Sequence, residues 1–374
     1  MKIGILTFHR AHNYGAVLQA YAMKTIFSRY GQAELIDYWP DYHRGDYDLM
    51  DFRFLVKGLC FRQRLVLFRA SIKRTLLLPL RLRRHGKFKS FIDTHFLSST
   101  RKVVRKESEL PKDFDAYIYG SDQIWRVYDI KNFPRPDLVY LGNGVPAGRR
   151  KIAYAASMGE VKNETLHEPK VQSLLGEFDS LGVREKTLQH AIAKFCSRPV
   201  KQVLDPTLLV SREDWADLAD TTPYNNKCPY LLFYSLIDSP VSRVIANKLA
   251  SNLGLLLIEI NGFETITGVL SKNLLQTAGP IDFLQLVRNA EFVVSTSFHG
   301  VVFSILFHKQ FYVCGMGRHA DRVTSLLDLL DLRDRLIEDE SSADVTAIID
   351  YETVDLRLSD LVAQSELFIR TALF

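Results

Sequence analysis

Apolar residues in this chain gather in short continuous runs, and between those runs they recur at helical spacing. The short runs predict buried strands and the wider periodicity predicts helices. Lys2 to Phe8 is thus a strand, Ala16 to Tyr30 an amphipathic helix closed by Gly31, and Glu34 to Tyr38 the next strand. The rhythm resumes with strands at Ala116 to Tyr119, Lys151 to Ala155 and Ser180 to Val183, a helix at Glu185 to Lys194, and a strand at Val200 to Leu204. Thr221 to Pro229 is polar and contains two prolines, which marks a linker. A second series follows, with strand Tyr230 to Ser235, helix Val241 to Asn252, strand Leu255 to Ile260 and helix Ile281 to Asn289. Strand Phe292 to Ser295, a helix after His299 and strand Phe311 to Cys314 complete it, and Ser359 to Phe374 reads as a last helix.

Strands alternating with helices form parallel sheets covered on both faces. The expected fold is therefore α/β, with two Rossmann-like domains facing each other across a cleft. The first domain spans residues 1–222 and carries a basic helical insertion at about 40–110, the second spans 223–350, and 351–374 is a helical tail packing back on the first. In open sheets of this kind ligands bind beyond the carboxyl ends of the strands.

Composition adds little until charge is mapped. A hydrophobic content of 47% and a charged content of 24% belong to an ordinary globular protein. The net charge is only +5, yet Phe52 to Ile92 holds 12 Lys or Arg and no acid, so the rest of the chain is net acidic. Mixing Leu, Phe and Val with cations at helical spacing suits an anionic membrane surface, where Arg81, Arg83 and Arg84 would contribute, or a helical hairpin packed on the domain with a solvated basic face. No nucleic-acid-reading motif accompanies the charge, so nucleic acid is not an expected partner. Cys60, Cys196, Cys228 and Cys314 lack metal-site or disulfide spacing. MKIGILTFHR enters a strand pattern at once, and no apolar run is long enough to span a bilayer. A cytoplasmic protein, peripheral at the inner membrane face, is the expectation.

Polar residues at strand ends supply the candidate chemistry. His9, His12 and Asn13 follow the first strand, Ser121 and Asp122 stand in GSDQIW, and Ser157, Arg184 and Asp205 end later strands. Arg184 offers a guanidinium fork to a carboxylate or phosphate, or else pairs with Glu185 or another acid. Asp122 reads as a helix N-cap or as a group that orients or deprotonates a hydroxyl. His299, with Ser297 before it, lies at a strand-to-helix junction, where free N–H groups and the helix dipole favour an anion.

GILTFHRAHNYGAVLQAYA, GSDQIW, LGVRE, VLDPTLL and STSFHG occur in this order from residue 4 to residue 300. In these motifs the chain resembles the polysaccharide pyruvyl transferase family. The resemblance implies a GT-B-like fold and transfer of the enolpyruvyl unit of phosphoenolpyruvate onto two hydroxyls of a sugar, such as galactose, in a polysaccharide or lipid-linked precursor. A pyruvate ketal forms and phosphate is released, with no cofactor besides the co-substrate and no metal ligands. It also implies donor binding by Arg184 of the first domain and His299 of the second, with Ser297 beside the histidine, Arg318 as a further cation and Lys309 and Arg322 as alternatives. His299 would be a general acid held protonated by an adjacent anion, Asp122 a base, and His9, His12, Asn13 and Ser121 the acceptor side. The competing readings are a GT-B glycosyltransferase with a nucleotide-sugar donor and a non-catalytic, membrane-tethered scaffold.

Overall fold

The computed structural model describes residues 1–43, 49, 60–97, 102–127, 136–223, 228–237, 239–262, 264–269, 271, 273–317, 320–339, 343–344 and 346–374. In the first half, β1 (Lys2–Leu6), α1 (Tyr14–Ser28), β2 (Gln32–Leu35), α2 (Phe61–Leu76) and α3 (Leu78–His95) precede β3 (Ala116–Tyr119) and β4 (Arg150–Ala156). Then come α4 (Asn163–Leu166), α5 (Pro169–Gly176), β5 (Ser180–Val183), α6 (Lys186–Ala193), β6 (Val200–Gln202) and α7 (Arg212–Ala219). The second half runs β7 (Tyr230–Ser235), α8 (Pro240–Asn252), β8 (Leu256–Asn261), α9 (Ile266–Val269), α10 (Pro280–Arg288) and β9 (Phe292–Ser295). It closes with α11 (Phe298–Leu306), β10 (Gln310–Val313), α12 (Asp321–Leu330) and α13 (Tyr351–Leu373).

Among the described residues, the strands form two sheets, ordered β2-β1-β3-β4-β5-β6 and β10-β9-β7-β8. Every pairing within them is parallel. The fold is α/β with two Rossmann-like halves. Strands such as β3 (AYIY), β7 (YLLFYS) and β9 (FVVS) are buried at every position because helices cover both faces. Each sheet reverses its order once, between β1 and β3 in the first and between β7 and β9 in the second. Beyond Leu6 and Leu35 the chain leaves the sheet, so β1 and β2 end short of Phe8 and Tyr38, and those loops are free to line a cleft.

The halves share one apolar cluster that runs from β1 and α1 through α7 to β7, α10 and α11. Tyr14 is the seam's anchor: its ring stacks on Phe283 at 5.0 Å, and its hydroxyl donates to the Ala278 carbonyl at 3.1 Å. α13 lies back on the first sheet, where Arg150 Nη1 donates to the Ala372 carbonyl and the Leu204 N–H donates to Ser365 Oγ.

The basic segment is one helix kinked at Leu77–Pro79 rather than a hairpin, since helical bonds from Leu77 N to Lys73 O and from Arg81 N to Leu77 O bracket the proline. Its second limb, α3, straps the halves together. Phe88 is fully buried and stacks on His12 at 5.2 Å, and Lys87 Nζ meets Asp282 Oδ2 at 2.7 Å. Arg81 Nη1 meets Glu264 Oε2 at 3.1 Å, while Arg84 is only 2% exposed. Arg81 and Arg84 therefore face the protein, contrary to the membrane-facing expectation, and only Arg83 of the three is exposed. Phe88→Ala is expected to cost about 3–5 kcal/mol of stability in chemical denaturation, whereas Phe61→Ser on the exposed limb stays within about 0.5 kcal/mol.

Candidate active site

Both switch points open into one cavity of about 540 Å³. The first half contributes Asn13 after β1, Trp39 after β2 and Asp122 and Gln123 after β3. The second contributes Ile237 after β7, Thr296 to His299 after β9 and Arg322 on α12 after β10. All are carboxyl-end positions, as expected for a doubly wound sheet.

Behind the cavity lies a buried ionic hub. Asp205 is 1% exposed and caps the turn after β6, accepting from Thr207 N at 3.1 Å and Thr207 Oγ1 at 2.6 Å through Oδ1. Its Oδ2 accepts from Arg184 Nη1 at 2.6 Å and Ser121 Oγ at 2.9 Å, and lies 3.8 Å from His299 Nε2. Burial pushes the Asp205 carboxyl up, but Arg184, His299 and the Thr207 bonds outweigh it and hold it below the usual carboxylate range. Arg184 Nη2 lies 3.8 Å from Asp122 Oδ1 and has no hydrogen-bond partner.

His299 sits in the first turn of α11, where Gly15 of α1 makes room for it. A β-carbon on Gly15 would come 2.0 Å from His299 Nδ1, so the absent side chain lets the imidazole cross the seam. Burial lowers the His299 pKa to about 4, with Asp205 and Asp122 pulling the other way. The imidazole is therefore neutral at neutral pH despite the two carboxylates. Ser297, the N-cap, makes no side-chain capping bond, which leaves first-turn N–H groups of α11 open on the cavity side.

Beside Arg126 of the first half, the cation that lines the cavity from the second half is Arg322. Burial lowers its pKa to about 10, further depressed by Arg184, so it remains charged at neutral pH. Gln123, with its amide oxygen turned to the guanidinium, accepts from Arg322 Nη2 at 2.5 Å and Nη1 at 3.0 Å. The Phe298 ring lies 4.8 Å from the Arg184 Cζ and 5.9 Å from that of Arg322, which links the inner cation to the outer one.

Of the residues singled out in the sequence, Asn13, Asp122, Ser297, His299 and Arg322, the last named there as an alternative to Arg318, line the cavity. Asn13 also caps α1, accepting from Ala16 N at 3.1 Å. Asp122 caps no helix: it adopts a left-handed backbone with φ 66° in an irregular loop, a strained conformation for a non-glycine residue. Arg184 stands behind the cavity wall, bound to Asp205. Ser121 is fully buried on Asp205. His9 is turned away, its ring nitrogens on the Thr7 carbonyl and Asp37 Oδ1 at 3.0 Å each. His12 packs between α3 residues Phe88 and His85 rather than facing an acceptor. Lys309 precedes β10, at the amino edge opposite the cavity, and Arg318 lies outside the described residues. Trp39, His43, Arg126 and Phe298 also line the cavity although no polar strand-end pattern marks them in the sequence, and Gln123 stands within GSDQIW.

Residues 13–317 match the family described as polysaccharide pyruvyl transferase. The chain belongs to that family. None of the curated proteins matches it. Among solved structures, UDP-GlcNAc 2-epimerase from Neisseria meningitidis is 10% identical, with a TM-score of 0.46 over 100% of this chain and 94% of that one. UDP-GlcNAc 2-epimerase from Methanocaldococcus jannaschii is also 10% identical, with a TM-score of 0.45 over 96% and 93%. The E. coli ADP-heptose lps heptosyltransferase II is 11% identical, with a TM-score of 0.33 over 98% and 100%. Among the described residues of this polysaccharide pyruvyl transferase family member, no group of three His, Cys, Asp or Glu side chains is arranged to hold a metal.

His12, lowered to about 3 chiefly by burial, and His299 are both neutral in the folded state. The unfolded chain takes up protons first as pH falls below about 6.5, so the stability these histidines contribute is complete above that pH and lost on the way down to their folded values. By calorimetry Tm should fall between pH 7 and pH 5, and His12→Gln should flatten the fall by about 2 kcal/mol at pH 5.

Proposed function

We propose that this family member transfers the enolpyruvyl group of phosphoenolpyruvate onto two hydroxyls of one sugar, releasing phosphate and leaving a cyclic pyruvate ketal. The acceptor on this reading is a hexose such as galactose within a polysaccharide or lipid-linked precursor. One observation carries the proposal: Arg322, His299 and the open first turn of α11 meet at a single cavity in a chain of this family. A small, multiply charged anion needs such a set, because the helix dipole adds only about 0.3–1 kcal/mol and a full charge must do the rest.

Phosphoenolpyruvate would bind with its anionic groups on Arg322 and the α11 N–H groups. Its negative charge would then raise the His299 pKa, so that the imidazole becomes protonated when the donor is bound. His299 gives that proton to the methylene carbon, leaving a methyl group and an oxocarbenium-like centre. A sugar hydroxyl adds there and gives up its proton, with Asp122 the nearby carboxylate to receive it. The carbon–oxygen bond to phosphate then breaks, and the second hydroxyl closes the ketal. Of the two hydroxyl protons, one balances that in the new methyl group and the other leaves with hydrogen phosphate. Arg184, neutralised by Asp205, acts as a positioning residue behind Phe298 and His299.

The test is incubation with phosphoenolpyruvate and a galactose-containing acceptor, following phosphate release and the gain in acceptor mass. His299→Ala should cost about a hundredfold or more in turnover, and Arg322→Met should raise the KM for phosphoenolpyruvate. Near-normal turnover by His299→Ala would overturn the assignment, and transfer from a nucleotide-sugar without phosphoenolpyruvate would favour the glycosyltransferase reading.

We further infer that the protein works as a peripheral protein at the cytoplasmic face of an anionic membrane, docked through α2. Among the described residues no helix is long and apolar enough to cross a membrane. On α2, Phe61, Leu65, Phe68, Ile72 and Leu76 follow one face and are 80%, 37%, 47%, 46% and 67% exposed. Arg62, Arg64, Arg69 and Lys73 flank that stripe, the pattern of an interfacial helix. The protein should sediment with phosphatidylglycerol vesicles and be released by high salt. Binding should fail for Phe61→Ser/Leu65→Ser/Ile72→Ser, and its absence in the unaltered protein would exclude this mode.

A further inference from the structure

With His9, His12 and Ser121 turned away, the first-domain side of the cavity presents a different surface. Its aromatic members are Phe8, Trp39 and His43. Trp39 and His43 stack at 4.9 Å with their planes 19° apart, and Phe8 meets His43 edge-on at 6.0 Å. The group is held from behind. Tyr38 and Tyr42, the residues preceding Trp39 and His43, both donate their hydroxyls to Asp137 Oδ2 at 2.6 Å. Asp137 is itself buried and fixed by the Val139 N–H on its other oxygen at 2.9 Å. The Trp39 N–H donates to the Val104 carbonyl at 2.8 Å, which ties the same loop to a second strand-like segment.

We propose that this clamped aromatic group is the platform on which the acceptor sugar lies, with Trp39 as its principal contact. The inference rests on the pyruvyl transfer reading for the word acceptor, but not for the binding itself. A pyranose has one face of C–H groups that an aromatic ring covers, while its hydroxyls require polar neighbours. Asp122, Gln123 and Arg126 supply those neighbours on the same cavity wall. The second-domain residues Ser297, His299 and Arg322 line the same cavity, with Arg322 in contact with Gln123, so a hexose on Trp39 shares one volume with the anion-binding groups. A platform fixed by Asp137 is preorganised, which is what a weakly binding neutral ligand requires.

Trp125 and Trp215 are 1% and 0% exposed, so a saccharide-dependent change in tryptophan emission reports on Trp39. The full-length protein is titrated with methyl β-galactopyranoside, methyl β-glucopyranoside and methyl β-mannopyranoside, and the same sugars are examined by saturation-transfer NMR. At least one hexoside should change the emission saturably and receive saturation at its C–H face. Trp39→Phe should lose the emission signal and keep the NMR contact, whereas Trp39→Ala should weaken binding at least tenfold. In turnover, Trp39→Ala should raise the acceptor KM at least tenfold and leave the KM for phosphoenolpyruvate unchanged. Unaltered hexoside binding by Trp39→Ala, no hexoside binding at all, or an emission change with UDP alone would overturn the platform. Hexoside binding at Trp39 without phosphoenolpyruvate turnover would keep it and overturn the pyruvyl transfer reading. Normal pyruvyl transfer by Trp39→Ala would do the reverse.

Discussion

Asp205 is the point on which the two halves of this molecule agree. A carboxylate this deeply buried must be matched in charge and in hydrogen bonds or it is not tolerated. Arg184 supplies the charge and Thr207 and Ser121 the bonds, while His299 Nε2 approaches from the other half to 3.8 Å without bonding. Each partner arrives from a different strand end, so satisfying one carboxylate fixes the loops after β3, β5 and β6 relative to α11. Removing Arg184 would leave a buried anion and removing Asp205 a buried cation, so the hub is held by the cost of breaking it more than by its net strength.

The same constraint explains why the cavity belongs to both sheets. A loose cleft would let the halves choose their spacing, but here α1 and α11 touch, Gly15 admits His299, and Tyr14 carries the contact on to Phe283. α3 crosses the seam as well, so the basic segment is divided by function: cations on its second limb pair with Glu264 and Asp282, while Arg62, Arg64, Arg69 and Lys73 on α2 stay in solvent. Geometry at the switch points is thereby set by packing rather than by loop preference.

Much of this was legible in the chain. Parallel strands buried on both faces read as continuous apolar runs, and four of them, Ala116–Tyr119, Ser180–Val183, Tyr230–Ser235 and Phe292–Ser295, have the observed limits. His299 was legible because an apolar strand running into Ser, Thr and Ser announces a helix start. What was not legible depends on contacts distant in sequence. Nothing local tells that Arg184 is consumed by Asp205 or that His9 is held by Asp37. Arg322 is hard to single out because Lys309 and Arg318 flank the same strand, and Ala320, the N-cap of α12, gives no capping side chain to announce that helix. Trp39 carries no local signal of chemistry, since its ring is apolar and its display depends on Asp137, far along the chain. The start of α13 at Tyr351 did carry a signal, since Asp350 caps it by accepting from Glu352 N at 3.1 Å.

On the proposed reading, the low pKa of His299 becomes part of the chemistry rather than an obstacle. Arg184 and Asp205 cancel each other, Arg126 and Arg322 outnumber the Asp122 carboxylate at the cavity, and the imidazole is neutral, so the site holds modest positive charge before the donor arrives. A bound dianion changes the balance: it neutralises Arg322 and stabilises an imidazolium a few ångströms away, so that donor binding and proton uptake are one linked event. The acid is then present when there is an enol ether to protonate and absent otherwise. An imidazole charged in the free site would lack that dependence, and burial against Gly15 is what prevents it. The close approach across the seam thus sets the position of the histidine and its charge by the same physical means.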